Sequence, residues 1–594
     1  MYKRLTVVCA FVLLFFTACV QNPDEREAPE PPRLLASSVD ELRERLPSLQ
    51  PGDVLLIADG EYADVGRLTF HRSGTPENPI RLRPLNPHQV RFTGELRWKI
   101  SASYLQFEGF TFDQVHKVPA EKKYDSLISS SFSSRGIEFR GCRFLSCQVQ
   151  RRENGSSTGN IITLRGDRHR ITGCFFYDPF TGILGLNGDE EKMEKREKGS
   201  LRIDHNLFRD TSRWREEGQQ GEAMFMGRGF SHFRTQPLGA VVEFNVFDRA
   251  IGDVHGEVIT VKSSHNTFRN NVFANGPGAW FKGGAHLSLR HCDHIVVENN
   301  LFAKLGCGIW VTGRHHRIEN NLFVDVDFCG LFFPAGNLQD VEDDRAVIMV
   351  GGERLDLTES DPYDYIAREY GAVFWAAEAC RIQHNTFAGL GGAAIYMRGN
   401  KKAKHGFLLP SGNRIEQNVF HTMNHVEPNP FMFIDEPDHN LINQNVFLLP
   451  KERISGPVGT QAQVHRSWQG GTRNLAGILV PDTPEAFGVQ KDLDLPPVPP
   501  MPGSLRDQPL KARFEPFRSH ATLGEPLLLD AAFSAGDIVE FQWEFGDGAT
   551  AQDAGNAQAH IWRTPGSYPV TLTVRDRSGH TDVYTRTLEV LPQP

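Results

Sequence analysis

Residues 296–323 read VVENNLFAKLGCGIWVTGRHHRIENNLF, and within them the phrase ENNLF occurs twice, at 298–302 and 319–323. The phrase is an apolar pair, one or two polar residues, Asn or Gly, one further residue, then Phe. Outward from this stretch it returns as IEFRGCRF (137–144), ITGCFF (171–176), IDHNLF (203–208), VEFNVF (242–247), FRNNVF (268–273), IQHNTF (382–387), IEQNVF (415–420) and INQNVF (442–447). A period of this size marks a solenoid. Each copy is too short for the 3.6-residue periodicity of helical repeats and has the alternation of a strand. Asn at the bend offers an amide that can bond the Asn one coil away and tolerates left-handed backbone angles. The Phe two residues on is placed to stack on its counterparts. The expected fold is all-β: a right-handed parallel β-helix of some fourteen coils, spaced ~4.8 Å apart.

Composition agrees. The 594 residues include 41 Phe and 55 Gly beside 9 Met and 11 Tyr, as in a turn-rich β protein with a recurring Phe position. A formal charge of -9 lacks the basic footprint of a nucleic-acid-binding protein. It leaves an anionic substrate open, provided that cations gather locally.

The ends carry other signals. Residues 1–19, MYKRLTVVCAFVLLFFTAC, read as a secretory signal. Thr17-Ala18 before Cys19 resembles a bacterial lipobox, which makes Cys19 the lipidated residue and the lipid the membrane anchor, with an outer-membrane lipoprotein the expected address. Residues 20–33 form a polar tether. Ser38 and Glu41 fit a capping box that opens a short helix, Glu41–Leu46, to close the first coil of a rod spanning 34–480. Residues 187–200 and 335–372 read as charged excursions from the coils. Seven cysteines remain beyond Cys19, scattered and without a C-x-x-C pair, which suits thiols buried between coils better than zinc ligands. A Pro-rich connector, 481–512, precedes short alternating strands over 513–594 that read as a small immunoglobulin-like β-sandwich. WEFGDG (543–548), PGSY (565–568) and VRD (574–576) resemble the PKD domain family, whose members are accessory modules.

The densest polar stretch of the rod is 255–291. There and around it the chain resembles polysaccharide lyase family six, the chondroitinase B and alginate lyase group. The likeness runs from PGDVLLIADGEYADVGRLTFHRSGTPENPIRLRPLNPHQVRFTG (51–94) through LRIDHNLF (201–208), GEVITVKS (256–263) and RHCDH (290–294) to GIWVTGRHHRIENNLF (308–323). It implies an enzyme that cleaves a uronic-acid polysaccharide by β-elimination, with Lys262 as the base and Arg290 supporting protonation of the leaving oxygen. His291, Lys282, Arg228, Arg314 and His315 are candidate substrate contacts. The resemblance also implies a calcium cofactor, held by an Asn and two acids. Glu257 matches the second acid, but His255 stands at the first and Gln219 at the Asn position. One carboxylate is a poor cage for a hard cation. Another cation, such as Lys282, Arg228 or protonated His255, would then neutralise the substrate carboxylate, or Glu222 would serve as a ligand. Two rival functions are a non-catalytic carbohydrate-binding or adhesive surface rod, and a glycoside hydrolase, which needs paired carboxylates flanking the scissile bond. The expected partner is an acidic polysaccharide, not nucleic acid, and the chain is expected to act as a monomer.

Overall fold

The structure is a computed structural model. It describes residues 33–116, 126–149, 160–179, 182–187, 201–211, 222–227, 237–250, 257–276, 285–290, 292–333, 376–389, 393–397, 410–421, 440–448, 493–500, 505–552 and 556–593, together with isolated short segments between 336 and 489. The leader, Cys19 and residues 20–32 of the tether lie outside the described residues, as do 188–200 and most of 335–372.

The repeats wind into a parallel β-helix with three faces. The first face is a 14-stranded parallel sheet that runs from Arg33–Ala36 to Leu441–Asn443. The second carries strands such as Phe175–Tyr177, Leu207–Arg209, Val246–Asp248 and Val272–Ala274, and the third carries Gly182–Asn187, Met224–Gly227, Ile259–Lys262 and Leu287–Leu289. The longer strands Leu301–Val311 and Leu322–Phe333 turn the corner and serve both.

Two internal columns hold the coils in register. Phe112, Phe144, Phe176, Phe208, Phe247, Phe273, Phe302, Phe323, Phe387, Phe420 and Phe447 stack ring on ring with centroids 4.7–5.1 Å apart. That spacing is the strand spacing of a sheet, so each ring meets the next without distorting the ladder. At the corner between first and second faces, Asn206, Asn245, Asn271, Asn300, Asn321, Asn385, Asn418 and Asn445 form an amide ladder, each side-chain N–H donating to the next side-chain carbonyl at 3.0–3.1 Å. All eight are fully buried, so these bonds satisfy amides that water cannot reach. One detail differs from expectation. The left-handed residue is the one before the ladder Asn, as at His205 (φ 58°), Asn270 (φ 57°), Asn299 (φ 58°) and Asn320 (φ 57°). The chain turns on that residue, and the following side chain is thereby aimed into the corner. In two earlier coils Gly141 and Gly173 make the turn, and Cys142 and Cys174 take the ladder position.

The helix at the rod's start spans Val39–Arg45, slightly earlier than expected, because Ser38 caps it by accepting the Glu41 N–H at 3.2 Å. Glu41 in turn accepts the Ser37 N–H at 2.7 Å.

The C-terminal strands form a sandwich of a three-stranded and a five-stranded sheet around Trp543, Phe545, Trp562 and Leu572. The sandwich does not hang from a free connector. The second face has an apolar outer stripe, Phe175, Leu207, Val246, Val272, Leu301 and Leu322, and it is covered by Val489, Leu493, Phe517, Leu528, Ala557 and Ala559. The connector runs back along the rod: Val489 N–H donates to Thr386, Asn270 donates to the Asp494 carbonyl, and Asn275 to the Pro499 carbonyl. Arg209, fully buried, fixes the sandwich by bonding both oxygens of Asp530 (3.0 and 2.6 Å), Asn556 (2.8 Å) and Asp248 of its own rod (2.7 Å). This packing leaves the third face to other work.

Candidate active site

On the third face, alternation decides what points outward. Met226, Val261, Leu289 and Val311 belong to the core, so their neighbours along each strand face away from it. Phe225, Thr260, Ser288 and Trp310 form one outward row in register across four coils. Lys262 lies in the next outward row, paired with Gly227. Arg290 follows Leu289, and its N–H bonds the Val261 carbonyl at 2.8 Å, which sets Arg290 beside Lys262 on the neighbouring coil.

Gly227 has φ 101°, and a Cβ there would stand 2.4 Å from the Lys262 carbonyl oxygen. Only glycine permits the coil beneath Lys262 to come so close.

Glu257 is buried at the entrance to the Lys262 strand and organises the cations. Its carboxylate takes Arg290 Nη2 at 2.5 Å, Thr260 Oγ1 at 2.7 Å and Ser288 Oγ at 3.1 Å. Thr260 Oγ1 also lies 3.4 Å from Glu222 Oε1, so two buried carboxylates converge on one hydroxyl. The aromatic members of the outward row flank the two cations: Lys262 Nζ is 5.1 Å from the Phe225 ring centre, and the Arg290 guanidinium carbon is 5.1 Å from that of Trp310. These distances are in cation–π range. Burial, and then the Arg290 charge, push the Lys262 ammonium below its ordinary range, while Glu257 and Glu222 pull the other way.

Arg314 and His315 occupy the corner after the third face, one coil beyond Arg290. The Arg314 N–H is held by Asp293 at 2.8 Å. His315 stacks on His294 (5.0 Å), which stacks on His265 (4.8 Å), all three at left-handed bends. His315 is thus grouped with that exposed column, and Lys262 is grouped with Arg290, Glu257 and Glu222. His291, Lys282, Arg228, His255 and Gln219 lie outside the described residues.

Sequence reasoning did not identify Thr260, Ser288, Phe225 or Trp310. The signal was present: all four fall on the outward phase of strands one coil apart. Reading it requires the register, and the intervening segments differ too much in length to supply one.

Of the positions matched to calcium ligands, only Glu257 lies among the described residues. Glu257 is engaged by a guanidinium and two hydroxyls, and no group of three or more His, Cys, Asp or Glu among the described residues could hold a metal ion.

Residues 36–329 match the model of the chondroitinase B family, and residues 515–591 match a PKD domain model. A model of the periplasmic copper-binding protein NosD overlaps the later coils, at 238–455. Among solved structures, the chain is similar to a mannuronic-acid-specific polysaccharide family 6 lyase from human gut microbiota (TM-score 0.54, 22% identity, covering 71% of this chain and 86% of that one). It is similar also to the PL6 alginate lyase AlyGC (TM-score 0.58, 19% identity, 78% of this chain and 57% of that one) and to the PL6 polysaccharide lyase Pedsa3628 from Pseudopedobacter saltans (TM-score 0.54, 20% identity, 77% and 99%). At these identities the likeness establishes the parallel β-helix. A curated relative, the pre-pro-metalloprotease PrtV of Vibrio cholerae, is 42% identical over 57 residues, which is 10% of this chain and 6% of the relative's length. Through residues 36–329 the chain belongs to the chondroitinase B family of polysaccharide lyases, and it carries a PKD domain after the rod.

Proposed function

We propose that the third face cleaves a uronate-containing acidic polysaccharide, of the alginate or dermatan/chondroitin sulfate type, by β-elimination. The neutral Lys262 amine takes the proton from the carbon beside the uronate carboxylate. The electron pair left behind forms the new carbon–carbon double bond as the glycosidic carbon–oxygen bond breaks, and the leaving oxygen takes up a proton from solvent. Arg290 supports that oxygen as negative charge develops on it.

The observation that carries this reading is the pairing of Lys262 with Arg290 on adjacent coils. A Lys acts as base only when neutral, and burial together with a neighbouring guanidinium favours the neutral form. Glu257 and Trp310 hold Arg290 at its edge and face, so it is positioned before substrate arrives. No step is assigned to calcium, since Glu257 is already engaged by Arg290. The lipid anchor at Cys19 would hold the enzyme at a bacterial outer membrane, with the rod free to meet polymer.

The test is incubation with alginate, dermatan sulfate, chondroitin sulfate and pectate, with and without chelator, followed by the ultraviolet absorbance of the unsaturated uronate end. Product is expected from at least one of the first three, undiminished by chelator. Lys262→Ala should slow its formation by ~10²–10⁴-fold, the range for loss of a general base. Absence of product from every polyuronate, or an unchanged rate in Lys262→Ala, would end the proposal, and loss with chelator would restore calcium to the mechanism.

A further inference from the structure

The seven described cysteines are all buried, and most are tied to backbone carbonyls. Cys142 Sγ lies 3.5 Å from the Phe107 carbonyl, Cys147 Sγ 3.4 Å from that of Phe112, Cys174 Sγ 3.5 Å from that of Thr172, and Cys380 Sγ 3.5 Å from that of Glu378. Cys174 also meets the Cys142 side chain on the adjacent coil, but both of those thiols are engaged by backbone carbonyls, whereas Cys307 and Cys329 engage each other. Their sulfurs face each other at 3.3 Å, and the two residues are direct register partners on adjacent coils. Neighbouring strands lie ~4.8 Å apart, inside the ~4.4–6.8 Å Cα separation that a disulfide requires. The register slips between Leu305 and Cys307, which gives the backbone local freedom to adjust. One residue on, the coils approach so closely that a Cβ on Gly308 would meet the Gly330 carbonyl at 2.5 Å.

The pair sits in an outer apolar cluster with Ala285, Phe332, Ala393 and Tyr396, against which Trp310 packs. Trp310, three residues after Cys307, is the ring over Arg290. The Cys307 carbonyl also accepts the His286 backbone N–H (3.1 Å) and ring nitrogen Nδ1 (3.0 Å), from the strand that leads to Ser288 and Arg290.

We propose that Cys307 and Cys329 form a disulfide that clips these two coils together when the chain folds in the oxidising compartment to which its leader directs it. The oxidant is itself a disulfide. One thiolate attacks it, and the second thiol displaces the mixed disulfide. The oxidant thereby leaves as two thiols, having taken up the two electrons and two protons that the cysteines give up. Exchange takes place before the coils close, because Cys329 is fully enclosed afterwards and burial holds its thiol above the ordinary range. The clip would fasten the coil carrying Trp310 to its neighbour and steady the aromatic cover of Arg290.

The experiment is to fold the full chain in a mixture of oxidised and reduced glutathione, alkylate in denaturant, and map the peptides by mass. A linked pair containing Cys307 and Cys329, lighter by two hydrogens and unalkylated at both, is expected, with Cys142 and Cys174 alkylated. Alkylation at both Cys307 and Cys329, or a link from either to another cysteine, would overturn the proposal. In a second measurement, reductant should lower the thermal midpoint of the oxidised protein by several degrees and leave that of a Cys307→Ala/Cys329→Ala variant unmoved. An equal response in both would also overturn it.

Discussion

Glu257 has two opposed effects on the chemistry. Its carboxylate anchors Arg290, and its charge pulls the Lys262 ammonium back toward its ordinary range. In the proposed elimination the base must be unprotonated, so kcat/KM should rise with pH through the Lys262 titration, with an ascending limb below the usual lysine range. Glu257→Gln removes a charge that favours protonated Lys262, so the limb should move to lower pH. It also loosens Arg290, so the plateau should fall by roughly tenfold, as when a positioning contact is lost. A pH–rate profile of the variant measures both. A limb that moves to higher pH would contradict the placement of Glu257 beside Lys262.

At the scale of the element, strands of three to six residues are aimed by what lies one coil away. Lys262 is an instance: Gly227 lets the preceding coil close against its carbonyl, and the closeness of the two strands keeps Lys262 level with Arg290. Gly227→Ala would put a methyl into that carbonyl in a left-handed conformation that alanine resists. The Lys262 strand must shift, and a displacement of ~1 Å at a reacting group costs on the order of 10²-fold in rate. We expect kcat to drop by about that factor while circular dichroism retains the β signature, because the Phe and Asn columns hold the remaining coils.

For the whole molecule, the connector and the PKD domain belong to the rod's outer wall. Arg209 stays charged despite complete burial because Asp530 and Asp248 outweigh the cost of removing it from water. Taking away one partner of such a buried group costs ~3–5 kcal/mol, since Asp530 is left buried without its counter-charge while Asp248 keeps Arg249. Arg209→Ala should therefore release the PKD domain from the second face, making the connector at 493–512 susceptible to limited proteolysis and lowering the thermal midpoint. Activity on the third face should persist. Simultaneous loss of activity and docking would mean that the two faces are coupled through the core.

Much of this architecture is written locally. The bend residue, the ladder Asn and the Phe lie within six consecutive residues, and one pattern of burial recurs in each copy, so the sequence by itself determines a parallel β-helix with stacked Phe and Asn columns. Ser38 and Glu41 likewise specify the capping helix, and the family motifs single out Lys262, Arg290 and Glu257. What tertiary structure alone decided is which of these residues meet. Glu257 and Lys262 are five residues apart in a segment whose phase changes, yet both face Arg290, because coil stacking joins positions separated by loops of unequal length. The outward row of Phe225, Thr260, Ser288 and Trp310, the contact between Cys307 and Cys329, and the docking of the connector depend on the same register. Register is fixed by hydrogen bonds and packing between coils, which a linear pattern records only where the spacing is constant.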